Sequence, residues 1–195
     1  MRSGGLTPLG GEGKVVEADE TYFGEIPEAK RRSTKTTGKP FSKNPGGFKH
    51  KRAIITLVER GGEVRSFHPP EAHLNEVVQI VRKNVARETR LHTDESPLYR
   101  NVGKEFAAHE TVKHSDYEYA RGDVTTNTVE GYFSIFKRGM RGVYQHCGEK
   151  HLHRYLAEYD FRYNNRSALG IEDKERAALA IKAGTGKRLT YRQPH

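Results

Sequence analysis

The sequence predicts an α/β fold in which a mixed five-stranded sheet is flanked by helices. Three apolar segments in the first third of the chain are typical of strands, and Gly61-Gly62 supplies a turn between the last two. Further along, apolar residues at helical spacing alternate with short strand-like segments. With 195 residues, the chain is long enough to bury the core of one domain.

The elements follow in the order β-β-β-α-β-α-β-α, with two more helices towards the end. We expect residues 1–13, which contain five glycines, to form a flexible tail before ordered structure begins at Lys14. The predicted strands are Val15–Phe23, Ala53–Glu59, Val64–Phe67, Thr89–Thr93 and Glu110–His114. The predicted helices are Leu74–Val85, Pro97–Phe106, Thr128–Met140, Lys150–Tyr163 and Asp173–Ala183. Residues 14–195 would thus form one domain, with residues 145–195 as its C-terminal helical part.

The charge of the chain is concentrated in one segment, the basic block of residues 30–52. This block holds nine Lys or Arg residues and no acid, whereas the net charge of the whole chain is +9. Its Gly and Pro residues predict a loop inserted between the first two strands. Clustered cations favour contact with nucleic-acid phosphates, and a solvated loop without a partner is the alternative.

Other classes of protein are disfavoured by composition. No apolar run approaches the roughly 18 residues of a membrane span, and the N-terminus has no apolar signal-peptide core. The single cysteine, Cys147, forms neither an internal disulfide nor a multi-cysteine zinc site. We therefore expect a cytoplasmic protein with no membrane partner.

Three acidic residues occupy positions that suggest chemistry. Asp19 lies inside the first predicted strand, Asp94 follows the fourth, and Glu130 lies near the start of the long helix. An acid within an apolar strand has lost solvating water, and a metal ion is one of the few partners that compensates. A solvent-facing position on the strand is an equally good explanation for Asp19 alone.

The long helix is amphipathic. Its polar stripe consists of Asn127, Glu130, Ser134, Lys137 and Arg141. The opposite face is apolar and is expected to pack in the core. A capping box is the alternative for Asn127-x-x-Glu130, because the Glu would then return a hydrogen bond to the helix start.

The acids also have a characteristic spacing, because 35 residues separate Asp94 from Glu130 and Lys137 follows Glu130 by seven. This pattern resembles the Asp-Asp-Glu motif of transposases and retroviral integrases. Five segments resemble, more narrowly, the ISXO-like (IS-1595-type) group of bacterial insertion-sequence transposases, over about Val15 to Arg192. They are Val16–Gly24, His92–Glu95, Thr126–Gly131, Phe136–Arg138 and Tyr159–Arg166.

The resemblance implies an RNase H-like catalytic domain of the retroviral integrase superfamily. It implies an enzyme that hydrolyses and transesterifies DNA phosphodiesters with the help of two divalent metal ions, either Mg²⁺ or Mn²⁺. Asp19 would bridge the ions, with Asp94 and Glu130 holding one each. Either Asn127 or Glu130 completes the site, and we favour Glu130 with Asn127 beside it. Lys137 would contact a DNA phosphate.

The partners that the resemblance implies are double-stranded DNA, as transposon ends and as target, and further copies of the chain assembled on it. It also implies association with the nucleoid in a bacterial cytoplasm. In the segment from Arg154 to Arg166 we expect Tyr155, Tyr159 and Phe161 to pack in the core, which leaves the arginines for DNA. The candidate DNA contacts are Lys30, Arg31, Arg32, Lys49, Lys51, Arg52, Lys137, Arg138, Arg141, Arg162 and Arg166.

Two alternatives remain open at this point. One is an RNase H-like nuclease that only hydrolyses strands. The other is a truncated, non-catalytic DNA-binding remnant, because members of the group usually carry a zinc ribbon and a DNA-reading segment before the catalytic domain. The terminal repeats, the target sequence and the oligomeric state are not encoded in any pattern that we recognise.

Overall fold

A five-stranded sheet forms the centre of the molecule, and its middle strand is the first strand of the chain, Val15–Phe23. The computed structural model describes residues 6–24, 51–69, 74–116, 118, 120–145 and 147–186. Its main sheet has five strands in the order β3-β2-β1-β4-β5. The strands of this sheet are β1 (Val15–Phe23), β2 (Arg52–Glu59), β3 (Val64–Phe67), β4 (Arg90–Thr93) and β5 (Ala108–Thr111).

The sheet is mixed. β1, β2 and β3 form an antiparallel meander, whereas β4 and β5 run parallel to β1. Ala18 pairs with Thr93, so Asp19 and Asp94 follow a matched pair on adjacent parallel strands. The register therefore brings these two acids to the same edge of the sheet.

Helices cover both faces of the sheet. They are α1 (Leu74–Asn84), α2 (Arg100–Gly103), α3 (Asn127–Gly139), α4 (Leu152–Asn164) and α5 (Asp173–Gly184). On one face, Val16, Ala18 and Leu57 pack with Val77 and Val81 of α1. On the other face, the second cluster joins Ile54 and Val58 of β2 to residues of α3 and α4. Alternation along each strand supplies both clusters.

The apolar face of α3 forms much of the second cluster, as the helical spacing predicted. Its buried members are Val129, Tyr132, Phe133 and Phe136, and Met140 directly after the helix joins them. Tyr159 of α4 packs edge-on against Phe136 at a ring separation of 5.2 Å, and Tyr155 contacts the same cluster. Core packing of Tyr155 and Tyr159 is therefore confirmed.

Four local features differ from the sequence-based expectations. Ordered structure begins before Lys14, because Leu9 is buried and forms a bridge with Val85. The helix expected over 97–106 is only the single turn α2, since beyond it N–H groups bond three residues back, as from Phe106 to Gly103. The fifth strand lies earlier than 110–114, because it pairs with β4 over residues 108–111. A hairpin of β6 (Ala120–Arg121) and β7 (Val124–Thr125) was not expected.

The order and direction of the five strands, with helices on both faces, make this an RNase H-like α/β fold, as expected from the resemblance. Most of the basic block, residues 30–50, lies outside the described residues. Within the described part of the chain, none of the helices has the length and apolar character that crossing a membrane demands.

Candidate active site

Three elements converge on one cleft at the end of the sheet. Asp19 comes from β1, Asp94 from the residue after β4, and Glu130 from the first turn of α3. The cleft has a volume of about 360 Å³. Its lining residues are Asp19, Glu20, Thr21, Asp94, His114, Glu130, Phe133, Ser134 and Lys137.

The tightest group of acids in the described residues is Asp19, Glu20 and Asp94, each of which offers a carboxylate oxygen within 4.8 Å of the others. Local hydrogen bonds orient these side chains. Asp19 accepts from the N–H of Glu20 at 2.7 Å, and Asp94 accepts from the N–H of Ser96 at 3.0 Å. The Ser96 hydroxyl donates to Glu20 at 3.1 Å, so one short turn after β4 supports two of the three acids.

The pKa values of these acids show that negative charge is crowded here. Burial, followed by the charges of Asp94 and Glu20, raises the pKa of Asp19 to about 8. Burial also raises the pKa of Asp94, and burial together with Asp94 raises that of Glu20. Glu130 adds to the shift at Asp19, so the four carboxylates act on one another electrostatically.

Glu130 lies at the rim of this group and has polar neighbours of its own. Its side chain is 43% exposed, and its Oε1 lies 3.4 Å from His114 Nε2. The Thr126 hydroxyl donates to the same oxygen at 3.0 Å. These contacts hold Glu130 towards the cleft.

The capping-box alternative for Asn127 and Glu130 is wrong. The residue that caps α3 is Thr126, whose side chain makes no capping hydrogen bond, and Asn127 is the first residue of the helix. Asn127 is exposed and is not among the residues that line the cleft. Of the two candidates for the third position, Glu130 is therefore the one beside Asp19 and Asp94.

The residues present fit a divalent metal ion. All the converging donors are carboxylate oxygens, the ligands that Mg²⁺ and Mn²⁺ prefer. Burial is the main cause of their raised pKa values, and neighbouring carboxylates add to the rise at Asp19 and Glu20. A bound cation would favour the ionised form of each acid.

Lys137 lines the cleft two helical turns beyond Glu130, where the polar stripe placed it. Its ammonium lies 5.9 Å from the centre of the Phe133 ring. Burial and the charge of Arg141 lower its pKa, whereas Asp19 acts in the opposite direction. The lysine is thus positioned at the cleft wall and not within the carboxylate group.

Sequence reasoning missed two titratable residues of the cleft, Glu20 and His114. Strand alternation places Glu20 on the face opposite Asp19, yet near the end of the paired strands its carboxylate still reaches Asp94. His114 follows β5, and the ends of neighbouring parallel strands meet at one edge of a sheet. That rule was available from the sequence and could have identified His114.

Apart from Lys137, the candidate DNA contacts are either outside the described residues, exposed, or engaged in contacts within the fold. Lys30, Arg31, Arg32 and Lys49 lie outside the described residues. Lys51, Arg138 and Arg141 are exposed, and so is Arg162, which pairs with Glu158 at 2.7 Å.

Arg52 is a correction to the expected set of DNA contacts, because it is only 8% exposed and donates to the carbonyl oxygen of Cys147 at 2.7 Å. Arg166 is partly exposed and stays a predicted contact. It donates to the carbonyl of Gly62 at 3.0 Å and stacks on Tyr163 at 3.9 Å. Both guanidinium groups tie neighbouring segments of the fold together.

Comparison with known proteins gives one family. The family model of the ISXO2-like transposase domain matches residues 8–164. No protein with a curated description matches the sequence. Among solved structures, the chain is similar to one described as "Crystal structure of the Mos1 Strand Transfer Complex", with 14% identity and a TM-score of 0.28. That match covers 80% of this chain and 53% of the other, so this chain spans about half the length of the chain that it matches. Since the family model spans most of the sequence and includes all four acids that line the cleft, the chain belongs to the ISXO2-like transposase domain family.

Proposed function

We propose that this chain is the catalytic domain of an insertion-sequence transposase, which cleaves DNA strands and joins them to a target. The observation that carries the proposal is the convergence of Asp19, Asp94 and Glu130 from three separate elements in one cleft. Membership of a transposase domain family supports the same reaction class.

In this proposal, Asp19, Asp94 and Glu130 would hold the divalent metal, Mg²⁺ or Mn²⁺, and Glu20 would supply a further carboxylate beside Asp94. When bound, such ions activate the attacking oxygen and balance the charge that grows on the phosphate. The chain itself orients the carboxylates through Ser96 and Thr126, whose hydrogen bonds leave few alternative positions for Glu20 and Glu130. Pre-set ligands lower the cost of assembling the reacting geometry.

The substrate of this cleft is DNA in the proposal. Lys137 at the cleft wall would contact a phosphate close to the scissile bond, and the exposed Lys51, Arg138 and Arg141 would extend positive charge beyond it. Neutralising phosphates with such side chains gives affinity that falls as salt rises. More than one copy of the chain would be needed to bring two transposon ends together.

A strand-transfer assay tests the proposal. The purified chain is incubated with labelled element-end DNA and plasmid target in Mg²⁺, Mn²⁺ or chelator. We expect metal-dependent nicking and joining by the wild type, and a loss of at least about 100-fold in both Asp94→Asn and Glu130→Gln, because each removes a charged ligand of the reacting centre. Asn127→Ala should keep most of the activity, since Asn127 does not line the cleft.

The matched control is Asp123→Asn, an acid outside the cleft whose side chain is 60% exposed. It should leave nicking and joining unchanged. Nicking without joining would favour a nuclease that only hydrolyses. DNA binding without any metal-dependent cutting by the wild type would exclude the catalytic proposal and favour a binding remnant.

A further inference from the structure

Glu17 is a fully buried carboxylate two residues before Asp19, and the sequence pattern did not single it out. Its exposed fraction is 0%. It accepts hydrogen bonds from the N–H groups of Thr128 at 2.8 Å and Val129 at 3.1 Å, and from the Thr128 hydroxyl at 2.8 Å. A side chain of β1 therefore contacts the first turn of α3 directly.

These contacts replace the usual cap of the helix. The first N–H groups of an α-helix have no partner within the helix, and a residue at the N-cap normally accepts from the second or third of them. In α3 these donors belong to Thr128 and Val129, and the Thr126 side chain provides no capping bond. Glu17 takes that role from across the sheet, and its negative charge is favourable at the positive end of the helix.

The same contact determines where Glu130 lies. Glu17 and Asp19 are on the same face of β1, about 7 Å apart along the strand, because alternate residues share a face. The N–H groups that Glu17 accepts from belong to Thr128 and Val129, and Glu130 is the next residue. The Glu130 carboxylate lines the same cleft as Asp19 and Asp94. One strand thus carries an acid of the cleft and also anchors the helix that delivers another.

Arg60 holds the Glu17 carboxylate in this position. Its guanidinium donates to Glu17 Oε1 through two nitrogens, at 2.7 and 3.1 Å. It also donates to the carbonyl of Asp123 at 2.9 Å, in the hairpin that leads into α3. The buried carboxylate is therefore paired and fully hydrogen-bonded, which is the condition for a buried charge to be tolerated.

We propose that Glu17 is a positioning residue, which sets the distance between Glu130 and the Asp19–Asp94 pair by clamping the start of α3. The proposal rests on the proposed function in one respect, that Glu130 is a metal ligand. Because Glu17 caps the helix, Glu130 is not needed for capping and its carboxylate remains available to the cleft. Partners that orient metal ligands typically change metal affinity or activity by about 10–100-fold when removed.

The experiment compares Glu17→Gln with Glu59→Gln, a mostly buried carboxylate on the opposite face of the sheet. Glu59 is 15% exposed and accepts from Gly10 N–H and from Lys14, with no contact to α3. Mn²⁺ affinity is measured without DNA by electron paramagnetic resonance, and amide exchange at Thr128 and Val129 by nuclear magnetic resonance. Strand-transfer kinetics supply kcat and KM for DNA.

We expect Glu17→Gln to speed exchange at Thr128 and Val129, to weaken Mn²⁺ binding about tenfold or more, and to lower kcat with little change in KM. Glu59→Gln should leave all of these readouts at wild-type values. Two milder substitutions at Thr128 test the same contact in case Glu17→Gln does not fold. Thr128→Val, which removes only the hydroxyl donor, should weaken Mn²⁺ binding to a smaller extent, and Thr128→Ser, which keeps that donor, should restore it.

Wild-type Mn²⁺ affinity in a folded Glu17→Gln variant would overturn the proposal, as would equal losses in Glu17→Gln and Glu59→Gln. Failure of the proposed function has a different appearance, because the wild type itself would then neither cut nor join DNA. In that case Mn²⁺ binding and amide exchange still decide whether Glu17 positions Glu130.

Discussion

At Asp19 the metal-free protein holds an acid in an environment that opposes its ionisation. Burial and the neighbouring carboxylates raise its pKa from 3.8 to about 8. Since the folded pKa lies above the unfolded value, the contribution of this group to stability is present below about pH 4 and is lost as the pH rises towards 8. Metal-free protein should therefore lose stability over that window.

Replacing Asp19 by Asn tests this linkage. Without metal, Asp19→Asn should increase the free energy of unfolding by about 1–3 kcal/mol at pH 8, a range that allows for partial solvent screening, and by little at pH 4. Urea denaturation at both pH values in chelator measures it.

Asp123→Asn is the control of opposite sign. Hydrogen bonds from Arg90 lower the pKa of the exposed Asp123, so removing its charge should not stabilise the protein at pH 8. An Asp19→Asn effect that is the same at pH 4 and pH 8 would contradict the assigned cause.

Individual residues of the cleft were only partly predictable. Asp19 and Asp94 stood out because an acid in or after an apolar strand is costly unless something compensates it. Glu17 is more deeply buried than either, yet its partners are backbone N–H groups more than 100 positions away. No local pattern encodes such a contact. The same holds for Arg52 and Arg166, whose internal acceptors are carbonyl groups of distant segments.

Among the secondary-structure elements, α4 is attached to the edge of the sheet by a group of polar contacts. Its Asp160 is 5% exposed and accepts from Ser66 N–H at 2.9 Å, from the Ser66 hydroxyl at 2.7 Å and from the Tyr132 hydroxyl at 2.7 Å. One turn later, Asn164 accepts from Val64 N–H and donates to Val64 O. The helix thereby pairs with the backbone of the edge strand β3, which would otherwise be open to another chain.

Asp160→Asn should destabilise the domain by about 1–3 kcal/mol, because one acceptor becomes an amide donor that faces a buried N–H or hydroxyl. The change in the midpoint of urea denaturation measures it. On the same helix, Arg162→Gln removes only an ion pair whose arginine side chain is 64% exposed, and it should cost less than about 1 kcal/mol. Equal effects of the two variants would rule out the edge contact as a main attachment of α4.

The long elements were predicted well, and so were the short strands β3 and β4, whereas α2 and the β6–β7 hairpin were not, for a physical reason. β1 and α3 have enough residues for a period of two or of 3.6 to be visible. The hairpin of β6 and β7 has only two residues in each strand, and its turn depends on Gly122 at φ 64°. α2 ends at Gly103, where a Cβ would collide with His109. Long-range packing, and not local periodicity, determines these features.

For the whole molecule, sheet topology explains why the cleft lies where it does. Among the described strands, β1 pairs with the antiparallel β2 on one side and with the parallel β4 on the other, and β4 ends at Thr93 beside Ala18, in the middle of β1. The polar stripe of α3 lines the cleft through Glu130, Ser134 and Lys137. Acids far apart in sequence thus meet only in the folded state, so a metal that needs all of them binds that state preferentially.

Divalent metal should therefore raise the melting temperature. At a free Mn²⁺ concentration about 100 times the dissociation constant, binding to the folded state alone contributes about 2.7 kcal/mol, or a rise of about 5–10 °C for a domain of this size. The rise should be larger at pH 8 than at pH 6, because protons compete with the metal at Asp19, whose pKa is about 8 without metal. Differential scanning calorimetry with Mn²⁺ or chelator measures both effects.

Asp94→Asn should lose most of the rise in melting temperature, whereas Asp123→Asn should keep it. An equal rise in these two variants would mean that the metal binds elsewhere, since Asp94 lies within the carboxylate group and Asp123 lies outside the cleft.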